Sequence, residues 1–265
     1  MPYTFITLHF TTLRDIRSLP FWHGARWNAL LRNLCRQAGV AAEDAYRSLA
    51  PERSGTRHIH RGEALCLRLM ASAAANSATR QLLAALPAAR CGEGEFFLGE
   101  TLHFAQWEEC DLQHLLAQEI DRLQQLAGQQ EWTIRLTSPL RLTGPPGMKE
   151  DGRYAGPDFF QKTPEAMARF MEKIRIEAGE YESVPAVAGA SLHWHDMAYS
   201  ARRKIRLGGV MGILRLAPAE LSLPVARALV MGQYVGVGKN GRFGLGLYRI
   251  EELQGWHAMP PFPVL

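Results

Sequence analysis

"GVGKNGRFGLG", residues 236–246, places five glycines, one lysine and one arginine in eleven positions. Gly236, Gly238 and Gly241 satisfy GxGxxG, so a dinucleotide-binding unit is the first reading to test. That fingerprint needs a strand before it, a helix after it and an acidic residue about 20 positions on. Here a helix-like "LPVARALVMGQ" precedes the glycines. In "RFGLGLYRI" behind them, Phe243, Leu245 and Leu247 alternate with Gly244 and Gly246, which predicts a strand. A phosphate loop of the Walker type also fails, because position 233 is Gln and position 240 is Asn. The kinase loop fails with it, since no HRD or DFG segment exists. What remains is a loop whose backbone approaches another group closely. Gly244 and Gly246 read as packing glycines. Backbone N–H groups at Gly236, Gly238 and Gly241, with the cations Lys239 and Arg242, suit phosphates of a nucleic-acid backbone.

Working outward, the last strand closes a recurring order. "EWTIRLTSPLRL" predicts a strand, and "TPEAMARFMEKIRIEAG" a helix with Thr163 as N-cap and Pro164 at N1. "SLHWHDM" and "RKIRLGGVMGILRL" predict strands, and "LPVARALVMGQ" a short helix. The first half runs the same way. Ile6, Leu8 and Phe10 alternate with polar residues, and Trp27, Leu30, Leu31, Leu34 and Cys35 recur at helical spacing. A stretch of vague character follows, then the strand "GEALCLRLM", the helix "NSATRQLLAALPAA", a glycine turn and a final strand. Each half is therefore β-α-β-β-α-β, the ferredoxin-like order. The expected fold class is α+β with two tandem ferredoxin-like domains and a helical elaboration in the first. The first domain, with an Arg-rich helical insertion, is placed at residues 1–108, a connecting helix at 109–130 and the second domain at 131–265.

Charge is modest in total but uneven. Residues 14–90 hold twelve arginines against five acids, 91–131 one arginine against nine acids, and 201–249 nine cations against Glu220. Two basic blocks flanking an acidic one suit a nucleic-acid binder as well as a solvated surface. The cations are 25 Arg and five Lys, and the arginine fork suits phosphates and base faces. Cys35, Cys66, Cys91 and Cys110 form no CxxC pair, which argues against a zinc ribbon or thioredoxin-type site. No signal-peptide pattern or membrane-spanning apolar run is present, and the expected location is the cytoplasm. His193 and His195 flank Trp194 without a third ligand and read as sheet surface; no metal or other cofactor is expected.

The segment from Tyr199 to Ile250, with Arg202, Arg203 and Lys204, then Gly208, Gly209 and Gly212, then Gly236 to Gly246, resembles the C-terminal half of the CRISPR-associated repeat-RNA endoribonucleases of the RAMP superfamily. "RLTSPLRL", "HGARWNALLRNL" and "RGEALCLRLM" are weaker matches in the family's order. The Arg-bearing first helix and the segment 47–80, read as an arm gripping the repeat stem, are similar to the variant found in type IV systems.

The resemblance implies RRM-related domains and metal-independent cleavage of precursor CRISPR RNA within each repeat. The ribose 2′-OH attacks the adjacent phosphate, leaving a 2′,3′-cyclic phosphate and a 5′-OH. It also implies retention of the mature crRNA, partnership with other CRISPR effector subunits, and a monomer on RNA. The enzyme must supply a base, an acid and cations for the phosphorane. Candidate bases are His23 at the first helix start and His58 and His60 in "RHIHRG"; each has a packing alternative. Arg242, Tyr46 and Arg61 are candidate helpers. Candidate RNA contacts are Lys239, Arg242, Gly236, Gly238, Gly241, Arg202, Arg203, Lys204, Arg26, Arg32, Arg36 and Arg61. A non-catalytic RAMP-type crRNA-binding subunit is the alternative. A general RRM protein is disfavoured because no aromatic-rich RNP1-like strand appears.

Overall fold

The first strand of the computed structural model, β1 (Tyr3–Thr12), buries Ile6, Leu8 and Phe10 in one core. The structure describes residues 3–17, 23–51, 58–72, 76–93, 96–110, 113–144, 149, 153–174, 176, 181, 183–196, 198–200 and 205–252. Two units compose it: Met1–Leu112 with Gly241–Gly244, and Gln113–Asn240 with Leu245–Leu265.

In the first unit, β1 leads to α1 (Gly24–Gln37), the single turn α2 (Ala42–Ala45), β2 (Ser48–Pro51), β3 (Ala64–Ser72), α3 (Asn76–Ala85), the small hairpin β4 (Gly92–Glu93) and β5 (Phe96–Phe97), and β6 (Leu102–Cys110). The sheet order is β2-β3-β1-β6, antiparallel throughout. This is the ferredoxin-like arrangement, with the first and third principal strands at the centre. Trp27, Leu30, Leu31 and Leu34 of α1 fall at helical spacing and all enter the core. The Trp27 ring lies 5.0 Å from Phe10 and 4.8 Å from Phe96, centroid to centroid. The described part of segment 47–80 is not a helical arm. It supplies β2, β3 and the start of α3, because Leu49, Leu65, Leu67 and Leu69 are needed in the core. The stretch of vague character thus contains the edge strand β2, whose shortness and terminal proline mask its periodicity.

The second unit begins with α4 (Gln113–Gln129), a connector on sequence grounds but part of this unit in the structure. There follow β7 (Trp132–Leu140), α5 (Pro157–Lys162), α6 (Ala166–Glu172), β8 (Val187–His195), the short pair β9 (Ala198–Ser200) and β10 (Ile205–Arg206), β11 (Gly209–Leu216), α7 (Leu223–Val235) and β12 (Tyr248–Glu252). The sheet order β12-β7-β11-β8 repeats the first unit's topology. α7 is buried almost all round, and its Gly232 lets the Tyr248 hydroxyl approach: a Cβ there would lie 2.1 Å from that oxygen. The hydroxyl donates to Leu229 O at 2.6 Å, so strand and helix are fastened at that crossing.

Two expected elements end up differently. The helix expected from Thr163 onward starts later and is shorter: Thr163, extended at φ −117°, ψ 112°, closes the separate helix α5, residues 164 and 165 form a turn, and α6 runs only from Ala166 to Glu172 with Glu165 as its N-cap. The last strand begins at Tyr248, not at Arg242. Gly244 and Gly246 have φ of 69° and 77°, outside the extended region of a regular strand.

Candidate functional site

The first unit carries most of the candidate catalytic groups. His58 and His60 are exposed and flank the fully buried Ile59, so the period-two alternation sends both imidazoles outward. Ile59 is fixed by a two-way backbone bridge to Ile16, at 2.8 and 3.0 Å. Thr12 Oγ1 donates to His60 O at 2.5 Å. The rings lie 5.7 Å apart, centroid to centroid. Asp15, not singled out from sequence, joins them: Arg61 N–H donates to its Oδ1 at 2.9 Å, which holds the carboxyl below its usual range. His60 lies within electrostatic range of that carboxylate.

His23 has a different setting. It is 2% exposed at the start of α1, stacks on Phe96 at 5.8 Å, and its Nδ1 accepts from Trp27 Nε1–H at 3.1 Å. The ring is part of the aromatic core. Tyr46 is likewise buried and engaged: its hydroxyl donates to Asn28 Oδ1 at 2.9 Å, and burial pushes its pKa well up.

Arg242 lies in the turn Gly241–Phe243, which belongs to this same unit. Its Nη1 is 3.9 Å from Glu43 Oε2 on α2, with the side chain 40% exposed. Arg242 and Arg32 of α1 both act electrostatically on the Tyr46 phenol, so residues 210 positions apart share one neighbourhood. Arg32 and Arg36 are exposed one turn apart on α1, Arg26 is half-buried, and Arg61 is exposed. Arg202, Arg203 and Lys204 lie outside the described residues.

The start of the glycine loop, which belongs to the second unit, is held through its backbone N–H groups. Gly236 N–H donates to Gly232 O, Val237 to Gly246 O, Gly238 to Lys173 O and Lys239 to Arg141 O, all between 2.8 and 3.0 Å. A phosphate nest from these donors is therefore excluded by prior engagement. Gly236 and Gly241 are buried, and the Lys239 side chain is exposed. A Cβ on Gly238 would lie 2.4 Å from Arg141 O, and one on Gly246 1.9 Å from Val237 O. These two glycines exist for close backbone packing. Arg141, also not singled out from sequence, is the buried hub: its guanidinium lies 4.0 Å over the Tyr154 ring, and Nη1 donates to Asn240 Oδ1 at 3.3 Å. The signal that could have found it is a charge at the end of an apolar strand. Asn240 sits at φ 67°, a conformation asparagine tolerates.

His193 and His195 lie on β8 with ring centroids 6.3 Å apart. Among the described residues no group of three His, Cys, Asp or Glu is arranged to hold a metal, and no helix is long and apolar enough to cross a membrane.

No family model and no curated protein matches the sequence. Solved structures do match. Over 97% of its length the chain superposes, with TM-score 0.62 and 16% identity, on a chain of a partial Cas6-RT-Cas1–Cas2 complex, and it spans 47% of that chain. A Cas6 product complex matches over 94% of this chain and 99% of its own, with TM-score 0.54 and 18% identity. Thermus thermophilus Cas6 matches over 94% and 98%, with TM-score 0.51 and 18% identity. At such identities the likeness is one of fold: this chain has the tandem ferredoxin-like architecture of Cas6.

Proposed function

We propose that this chain is a Cas6-like endoribonuclease of the RAMP superfamily, which cleaves precursor CRISPR RNA within its repeats and keeps the product. The observation that carries the reading is the pair of ferredoxin-like sheets in one chain, sharing the Cas6 fold over the full length of a Cas6 protein. The basic groups on α1 and at the glycine-loop tip support it.

The favoured chemistry uses the His58–His60 pair. His60 removes the proton from the ribose 2′-OH, and the Asp15 carboxylate lies within electrostatic range of that ring. The 2′-oxygen attacks the adjacent phosphorus, and His58 returns a proton to the departing 5′-oxygen. Rings 5.7 Å apart can address one phosphodiester from two sides. Arg242 and Arg32 are the cations for the phosphate charge. Lys239 and Arg61 are further backbone contacts, and His23 orders the core beneath α1. Other CRISPR subunits are the proposed protein partners.

The burial of His23 favours a second reading, in which the chain is a non-catalytic crRNA-binding subunit. Incubating a cognate repeat RNA with the protein in EDTA, beside the same RNA with single 2′-deoxy substitutions, separates the two. The enzyme reading expects cleavage in EDTA, abolished by one 2′-deoxy position. Tight binding without cleavage assigns the subunit role, and cleavage that needs a divalent metal overturns the mechanism.

A further inference from the structure

On the sheet face turned away from α1 in the first unit, three side chains distant in sequence form a hydrogen-bonded chain. Cys66 Sγ lies 3.4 Å from His9 Nδ1, and His9 Nε2 lies 3.0 Å from Glu108 Oε1. Their placement follows from the register. His9 on β1 pairs with Cys66 on β3 and with Gln106 on β6, and Glu108, which stands opposite Thr7 in the same register, reaches the ring diagonally. Leu8, Phe10, Leu65 and Leu67 occupy the opposite, core-facing side. The neighbouring row on the same face holds Arg68, Thr7 and Glu108. Arg68 and Glu108 are thus the charged groups that the three strands place beside the pair.

The two ring nitrogens have different partners, which argues against a shared metal and assigns roles. A carboxylate accepts from Nε2–H, fixing the tautomer whose Nδ1 is the acceptor, and the thiol donates to that Nδ1. This is the geometry by which an acid orients a histidine and the histidine ionises a thiol. Cys66 and His9 are partly exposed, so a small reagent can reach the sulfur.

We propose that Cys66, His9 and Glu108 form a thiol-activating site, and that Cys66 is a modification site for hydroperoxides. In the step, the Cys66 thiolate attacks one peroxide oxygen, the O–O bond breaks and an S–O bond forms. The thiol proton held at His9 Nδ1 passes to the departing alkoxide or hydroxide. The products are a cysteine sulfenic acid and an alcohol or water, with the sulfur oxidised and the peroxide reduced. Neither core packing nor the RNA chemistry above makes use of this chain of groups.

The test is the rate of Cys66 modification by hydrogen peroxide and by iodoacetamide at neutral pH, followed by peptide mass spectrometry on the reduced, folded protein. The expected rate at Cys66 exceeds that of the same cysteine in the urea-unfolded chain by about tenfold. His9→Gln keeps hydrogen-bonding capacity without a base, and should slow the folded rate by about tenfold. Glu108→Gln should slow it by about threefold. A Cys66 that reacts no faster folded than unfolded overturns the proposal, as does an unchanged rate in a folded His9→Gln. Should that variant lose its circular-dichroism signature, an unchanged rate in Glu108→Gln overturns it instead. The wild-type comparison decides without any variant.

Discussion

A Cβ added to Gly246 would sit 1.9 Å from the Val237 carbonyl oxygen, while one on Gly39 meets nothing within 4 Å. Both residues have positive φ, at 77° and 69°. Gly39→Ala should therefore cost only the left-handed strain, about 1 kcal/mol, and Gly246→Ala about 3 kcal/mol or more, since backbone must move. Thermal unfolding followed by circular dichroism measures the difference, and equal losses refute the packing account of the loop. At the same scale the histidines should separate by phenotype. His60→Gln should lower repeat cleavage by about 10²-fold or more while leaving affinity within about threefold. His23→Ala should instead lower the melting temperature, because it removes an aromatic contact and orphans the buried Trp27 N–H. Full cleavage by His60→Gln together with loss in a stably folded His23 variant would invert the assignment.

Elements carry the charge. Exposed Arg32 and Arg36 stand one turn apart on α1, and Arg242 is brought toward Arg32 by the turn Gly241–Phe243. Replacing Arg32 and Arg36 by Gln should reduce the slope of log affinity for repeat RNA against log salt by about 0.7 for each phosphate no longer neutralised. Filter binding over a salt series reads this directly, and an unchanged slope removes α1 from the interface. Elements are also where sequence legibility is mixed. α1, β3, α4 and α7 can be read from periodicity because each buries a long, regular face. β2 cannot, being four residues ending in proline. The helix expected from Thr163 is realised only as the seven residues Ala166–Glu172, shorter than its apolar spacing suggests.

For the whole molecule, stability depends on a carboxylate in the second unit. Glu119 of α4 accepts from Tyr234 Oη–H at 2.9 Å and from Gln233 Nε2–H at 3.4 Å. Burial raises its pKa, against the opposing pull of the Tyr234 bond and of Arg122 and Arg249. A raised folded value means that the folded state holds the proton more tightly than the unfolded chain. This contribution is fully present below the unfolded value of about 4.3, and is lost as pH rises through the folded one. Glu119→Gln keeps an acceptor for Tyr234 and cannot ionise. The melting temperature of the variant relative to wild type should therefore be higher near neutral pH than at about pH 4. A relative melting temperature that stays flat, or moves the other way, sinks this account.

The principal strands and helices other than β2, their repetition in two halves, and the exclusion of a dinucleotide or Walker loop were in the sequence, because period and glycine context are local properties. The tertiary structure alone decided what those residues face. It showed that the N–H groups from Gly236 to Lys239 are already spent on the second unit's own carbonyls, and that Arg141 anchors Asn240. It buried His23 and Tyr46, set Arg242 beside Glu43, and aligned His9 with Cys66 and Glu108. Hydrogen-bond commitment and burial depend on strand register and on contacts between residues far apart in the chain. No local window of sequence contains them.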